Sequence, residues 1–128
     1  MDKKADNNIL NYQNQINTLD NKIDNEKIII KKIEKIQDDV VALTKSVDKC
    51  IDLLYKSIKG PTTNYEFDDM RNFNRKFLIE TTNELDEETY QTQKKINKLT
   101  QEKEEILKHS RESQNRGDDS ADNISKEE

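Results

Sequence analysis

Glycine and proline are nearly missing from this 128-residue sequence, which contains only Gly60, Gly117 and Pro61. These are the two residue types that most strongly interrupt helices. Nothing of that kind stands between Met1 and Lys59 or between Asn64 and Ser113. The same shortage excludes a glycine-rich phosphate-binding loop. The sequence therefore predicts two long helices that are joined at one short break.

The side chains that carry most catalytic and metal chemistry are also scarce. A single cysteine, Cys50, excludes an internal disulfide, and we expect it to be a small buried hydrophobic residue beside Ile51. His109 is the only histidine, so Cys and His do not occur at metal-ligand spacing. We expect two packed helices to offer no concave pocket of the kind that active sites need. We expect no catalytic residue, no metal and no cofactor, and hence a protein that is not an enzyme.

Long apolar runs are missing too. No stretch of ~18 apolar residues could form a transmembrane helix, and the N-terminus does not lead into the apolar part of a signal peptide. The net charge is −5, with lysines interleaved among acids, which argues against nucleic acid or a membrane surface as the partner. We expect a cytoplasmic protein, or one that is exported together with its partner.

What the sequence does contain is a heptad repeat. The a positions hold Ile9, Ile16, Ile23, Ile30, Ile51 and Ile58, and the d positions hold Tyr12, Leu19, Ile33, Val40, Val47 and Leu54. This spacing predicts a helix over residues 7–59 with a packing seam along one face. Glu26, Gln37 and Thr44 are polar residues within the seam. They are either tolerated near water or set the register of the packing.

The apolar stripe widens along this helix. From Ile29 onward the g position before each a position is apolar as well, at Ile29, Ile36, Leu43 and Cys50. An a/d stripe faces one partner helix, whereas an a/d/g face is wide enough for two. We therefore expect the first part of the helix to be two-stranded and the second part to lie in a bundle of three or more helices.

The sequence from Lys59 to Glu66 predicts a turn. Gly60 and Pro61 end the first helix, and Thr63 with Glu66 forms a capping box, so the turn takes residues 60–63. A break this short folds the second helix, residues 64–109, back antiparallel. Residues 1–6 and the acidic tail 110–128 are predicted to be disordered. The fold class is all-α, an antiparallel two-helix hairpin that oligomerisation or a partner completes to a bundle.

Most aromatic residues lie in the first turns of the second helix. These rings either pack against the end of the first helix or form a partner-binding knob, and both roles can hold for different rings. Farther on, Leu78, Leu85, Thr92, Leu99 and Ile106 recur every seven residues, with polar companions at Thr82, Thr89 and Lys103. The candidate partner-binding residues are Ile29, Ile30, Ile33, Ile36, Val40, Leu43, Val47, Phe67, Met70, Phe73 and Phe77.

Three short runs stand out: Ile58-Lys59-Gly60 at the break, Phe73-Asn74-Arg75, and Leu85-Asp86-Glu87-Glu88 followed by Leu99. With them, the chain resembles the small helical-hairpin adaptors or chaperones that accompany LXG-domain toxins in Gram-positive type VII secretion. The first run stands where the wider superfamily has Trp-x-Gly, and the other two are similar to the second helix of one branch. The family's Tyr-x-x-x-Asp/Glu export signal follows the second helix, whereas here its match, Tyr65 to Asp69, begins that helix.

The resemblance implies binding to the helical N-terminal domain of an LXG-type toxin, with a second small adaptor as a further partner. The residues alone also admit another class of function. A homo-oligomeric coiled coil that acts as a scaffold or spacer would show the same heptads, and Glu26, Gln37 and Thr44 would then set its register. The first hypothesis requires a different protein as the partner, and the second requires only further copies of this chain.

Overall fold

The chain forms an antiparallel hairpin of two helices, as the heptads and the Gly-Pro break predict. The computed structural model describes the backbone of residues 2–58 and 63–127 and the side chains of residues 7–58 and 64–115. Helix α1 spans Asp2–Ser57 and helix α2 spans Thr63–Glu127. The all-α hairpin is therefore confirmed. The predicted turn residues Gly60 and Pro61, and the capping side chain of Thr63, lie outside the described residues.

Both helices differ from the predicted lengths. Helix α1 begins at Asp2 instead of residue 7, and α2 continues to Glu127 instead of ending at residue 109. The lack of apolar residues in these end segments was taken to mean disorder. The shortage of apolar residues removes a packing face, but it does not itself interrupt backbone hydrogen bonding. Near the turn, the amide of Ile58 still donates to the Leu54 carbonyl, at 2.9 Å.

The hairpin divides into two compact units. The terminal unit comprises Met1–Lys27 and Gln93–Glu128, and the central unit comprises Ile28–Thr92. On α1 the boundary falls between Lys27 and Ile28, which is where the apolar stripe of the sequence widens. Each unit contains one segment of α1 packed on one segment of α2.

The terminal unit has a narrow core. Leu19, Ile23 and Ile96 are buried between its two helical segments. An ion pair closes one edge, where Lys103 Nζ lies 2.7 Å from Asp20 Oδ1. Among the described side chains of this unit, every large hydrophobic residue except Leu10 is at least half-covered. Two helices with a/d stripes therefore cover each other here.

The central unit has its own core of Ile33, Ile51 and Phe67. The ring of Phe67 meets that of Tyr55 edge to face, with centroids 5.4 Å apart, a favourable aromatic geometry. Farther along, Gln37 Nε2 donates to Asp86 Oδ1 at 2.8 Å. This hydrogen bond places the start of the Leu85-Asp86-Glu87-Glu88 run level with the middle of α1.

The covered residues of α1 follow the predicted heptad closely. Between residues 7 and 58 every buried or half-covered residue occupies an a or d position, apart from Asp20. On α2 the covered positions follow steps of three and four from Phe67 to Thr81 and again from Thr82 to Ser110, and the second series is offset from the first by one residue. Such a stutter locally shifts the packing face around the helix.

Candidate partner-binding groove

One edge of α1 in the central unit carries apolar side chains that α2 does not cover. Ile29, Ile36 and Leu43, which occupy the g positions, remain 41%, 47% and 55% exposed. Val47 and Leu54 extend the same edge toward the turn and are also exposed. The seam turns the a positions toward α2, so the g positions lie to one side of the contact. This outcome is the one that the widened stripe predicts.

The facing edge of α2 carries a second apolar row. Met70, Phe73 and Phe77 follow a spacing of three and four residues, which places them on one line along the helix. All three are exposed, and Phe73 is 75% exposed. The contact with α1 is made instead by the neighbouring line, which contains Phe67 and Asn74. The aromatic cluster of the sequence is therefore split between these two lines.

The two apolar edges border an open groove with a cavity volume of about 630 Å³. Residues from both helices line it: Leu43, Thr44, Val47, Ile51, Asp69, Met70, Phe73, Asn74 and Phe77. Soluble monomers rarely leave a continuous apolar surface of this kind without a binding role. The groove is therefore the best candidate for the functional site among the described residues.

The polar groups at the base of the groove already have hydrogen-bond partners. Asn74 is only 7% exposed, and its Nδ2 donates to the Thr44 carbonyl at 3.0 Å and to Asp48 Oδ1 at 2.8 Å. The Thr44 hydroxyl bonds within its own helix, to the carbonyls of Val40 and Val41 at 3.0 and 2.9 Å. These groups hold the two helices in register, and no buried polar side-chain atom among the described residues lacks a hydrogen-bond partner. The groove therefore selects for an apolar occupant.

The opposite side of the central unit has a different character. Arg71 Nη2 lies 3.2 Å from Asp52 Oδ1, and the same guanidinium lies over the Tyr55 ring, 5.4 Å from its centroid. Asp48 accepts its hydrogen bond from Asn74 on this side. Arg71 and Asp52 are thus paired across the two helices. The central unit therefore has one side with a charged pair across the helices and one unfilled apolar side.

The structure sorts the predicted partner-binding residues into two groups. Available side chains border the groove or extend its α1 edge, and they are Ile29, Ile36, Leu43, Val47, Met70, Phe73 and Phe77. Ile33 and Phe67, which were also predicted as partner-binding residues, are 7% and 4% exposed because they pack in the contact between the two helices. Ile30 and Val40 are half-covered for the same reason, as a and d residues.

Two of the three polar seam residues make contacts that the sequence did not specify. Gln37 bonds across to Asp86, and Thr44 accepts Asn74 at its backbone carbonyl. Asn74 itself was missed as a seam residue. Counting back in sevens from Thr82 leads to Arg75, whereas the stutter places Asn74 in the contact. Its position seven residues after Phe67 was the signal that could have found it.

Cys50 is exposed, and the expectation that it is buried was wrong. It occupies a g position, one turn from Val47 on the edge that α2 leaves uncovered. His109 is exposed as well, with its Nδ1 3.8 Å from Glu112 Oε2. Within the described part of the chain, no group of three or more His, Cys, Asp or Glu residues converges on a metal-sized site. Neither helix contains, in its described residues, a segment long and apolar enough to cross a bilayer.

Comparison of this chain with protein-family models, with curated proteins and with solved structures finds no match.

Proposed function

We propose that this chain is a non-enzymatic adaptor that holds a helix of another protein in the groove of its central unit. The observation that carries the proposal is the pair of uncovered apolar edges, with Leu43 and Val47 on α1 and Phe73 and Phe77 on α2. Exposed apolar surface costs roughly 25 cal/mol per Å², so an occupant that covers it gains substantial free energy. The proposed role therefore rests on the apolar surface that the two helices leave uncovered.

The spacing of the residues along the groove fits a helix as the occupant. The g and d residues of α1 and the Met70–Phe77 row of α2 recur every three or four residues, which is the spacing that receives the side chains of a third helix. A small apolar ligand is a weaker candidate, because small-molecule pockets add a few convergent polar groups to an apolar lining. Here Thr44 and Asn74 are already engaged.

In its more specific form, the proposal makes the client the helical N-terminal domain of an LXG-type toxin in type VII secretion. The support is the family resemblance, in particular Ile58-Lys59-Gly60 at the turn and the Phe73-Asn74-Arg75 run, together with the hairpin fold. The chain would act as a chaperone by covering an apolar client helix until export. A second small adaptor would complete the bundle.

Co-expression with the LXG domain from a neighbouring toxin gene tests both levels of the proposal. Leu43→Asp should abolish co-purification, because it places a charge within the apolar groove. Leu10→Asp is the matched control, since Leu10 and Leu43 are both 55% exposed and only Leu43 lines the groove. Loss of binding in both variants, or in neither, would contradict the groove as the site. A genome without a neighbouring LXG gene would contradict the specific client.

The second candidate is a homo-oligomeric scaffold or spacer, which the same exposed apolar edges favour. In that case the isolated chain forms a stable dimer or tetramer, and Leu43→Asp converts it to a monomer while Leu10→Asp does not. Sedimentation equilibrium across a range of concentrations decides between the two candidates. A monomer that binds its client supports the adaptor.

A further inference from the structure

The α2 edge of the groove changes from apolar to acidic side chains along its length. After Met70, Phe73 and Phe77, the residues that continue the same helical line are Glu80, Glu84 and Glu88, again in steps of three and four. All three glutamates are exposed. The row is thus apolar near the turn and acidic farther from it.

The α1 edge does not change in the same way. Ile36 continues the apolar row, and the hydrogen bond from Gln37 to Asp86 places Ile36 level with Glu84 and Glu88. A helix that lies along the groove therefore meets apolar side chains on both flanks near Phe73. Farther along it meets apolar side chains on one flank and carboxylates on the other.

The three carboxylates are poorly neutralised within the chain. Among the described side chains, Glu80 pairs with Lys76 at 3.8 Å, and both side chains are more than half exposed. Neither Glu84 nor Glu88 forms an ion pair with any residue whose side chain the structure describes. Carboxylates that lie beside an apolar groove attract cationic groups of an incoming partner, and the attraction strengthens as water leaves the contact.

We propose that the groove takes an amphipathic helix whose apolar stripe is edged, on the side of α2, by lysine or arginine. The cations lie beside Glu80, Glu84 and Glu88, which fixes both the direction and the depth at which the helix docks. This inference deepens the proposed adaptor function and rests on it for the identity of the site. It adds the chemistry by which a client helix is selected.

The same carboxylates argue against a second copy of this chain as the occupant. A copy that docks in parallel through the groove brings its glutamates toward the same glutamates. A copy that docks antiparallel brings them toward apolar residues such as Met70 and Leu54. Either arrangement desolvates carboxylates without supplying cations. Along the α2 edge of the groove, Lys76 already pairs with Glu80.

Two synthetic helical peptides test the inference directly. Both carry the same apolar stripe of leucine and isoleucine, and one flank is edged with lysine in the first and with glutamate in the second. The full chain should bind the lysine peptide about tenfold more tightly, as expected for a few partly exposed ion pairs, in fluorescence anisotropy at low salt. At ~1 M salt, where the Debye length is ~3 Å, the difference should largely vanish.

The triple variant Glu80→Gln, Glu84→Gln, Glu88→Gln should lose the preference for the lysine peptide and keep its binding to the apolar stripe. The control triple variant Glu102→Gln, Glu104→Gln, Glu105→Gln removes the same charge from the terminal unit and should keep the preference. Equal affinities for the two peptides, a preference that survives the first triple variant, or binding of neither peptide would each overturn the inference.

Failure of the proposed function gives a different result. The lysine peptide would then bind at the groove, as judged by its loss in Leu43→Asp, while the LXG domain does not bind. If the isolated chain dimerised through the groove, and Leu43→Asp reversed this dimerisation, the inference that a cationic amphipathic helix occupies the groove would be overturned.

Discussion

The terminal and central units are built from the same two helices, yet they leave different surfaces. In the described part of the terminal unit, Leu10 is the one large hydrophobic residue that stays exposed, whereas the central unit exposes apolar residues on both helices. In both units the covered residues of α1 lie at a and d positions, apart from Asp20. The difference comes from the g positions, which are polar before residue 28 and apolar from Ile29 to Cys50.

This comparison separates residues that hold the hairpin together from residues that are available to a partner. A residue at a or d contributes to folding where the second helix covers it, as it covers Ile23 and Ile51, whereas the d residues Val47 and Leu54 stay exposed near the turn. A residue at g contributes to folding only if a further helix arrives. The amphipathic pattern alone therefore indicates where the hairpin is complete and where it is not.

The largest expected effect on stability comes from truncating the seam. Ile23→Ala in the terminal unit and Ile51→Ala in the central unit should each lower the free energy of unfolding by roughly 2–4 kcal/mol, since both side chains are buried. Ile36→Ala, at a g position, should cost less than ~1 kcal/mol because the side chain is already half exposed. Urea denaturation measures all three values.

If Ile36→Ala lowered the free energy of unfolding as much as Ile51→Ala does, the distinction between seam residues and g residues would be contradicted. It would mean that the isolated chain already covers the g edge, for example by self-association. The measurement should therefore be repeated at two protein concentrations, because the unfolding midpoint of an associated state depends on concentration.

A smaller effect is expected from the polar contact that holds the central unit in register. Asn74→Ala should cost about 1–2 kcal/mol, since it removes the two hydrogen bonds to Thr44 and Asp48 from a buried position. Asn72→Ala, at an exposed position two residues away, is the control and should change stability by less than ~0.5 kcal/mol. Equal effects of the two substitutions would show that the Asn74 bonds add nothing to the register.

The smallest effects are expected from the ion pairs that close the edges of each unit. A double-mutant cycle on Lys103 and Asp20 should give a coupling of roughly 0.2–1 kcal/mol that falls with salt, because both side chains are partly exposed. Arg71 should keep part of its contribution at high salt, since it also lies over the Tyr55 ring. Identical salt dependence for Lys103 and Arg71 would contradict the contribution of that ring.

The sequence was sufficient to predict much of this molecule. The spacing of Ile23, Ile33 and Ile51 marks the buried face of α1, and the absence of glycine and proline marks the uninterrupted helices. The groove could be predicted in outline, because Ile29, Ile36 and Leu43 lie beside the seam and the Met70–Phe77 row continues the aromatic cluster. These features depend on periodicity, which is a local property of the chain.

The remaining features depend on which side of each helix meets the other, and periodicity alone does not determine that. Cys50 was expected to be buried because it is small and follows the seam, but its edge faces away from α2. Phe67 and Phe73 belong to one aromatic cluster, and only the packing shows that Phe67 is buried between the helices and Phe73 is exposed. The stutter at Thr81 and Thr82 moves the contact by one residue, so the heptad that fits the later part of α2 does not predict Asn74 in the contact.

The exposed thiol of Cys50 has a practical consequence for following the groove. It is the only cysteine of the chain, and it lies one turn beyond Val47 on the uncovered edge of α1. An environment-sensitive dye can therefore be attached at one defined position without any substitution. Its emission would report the arrival of an occupant in real time, and the same labelled protein would serve for every variant that leaves Cys50 in place.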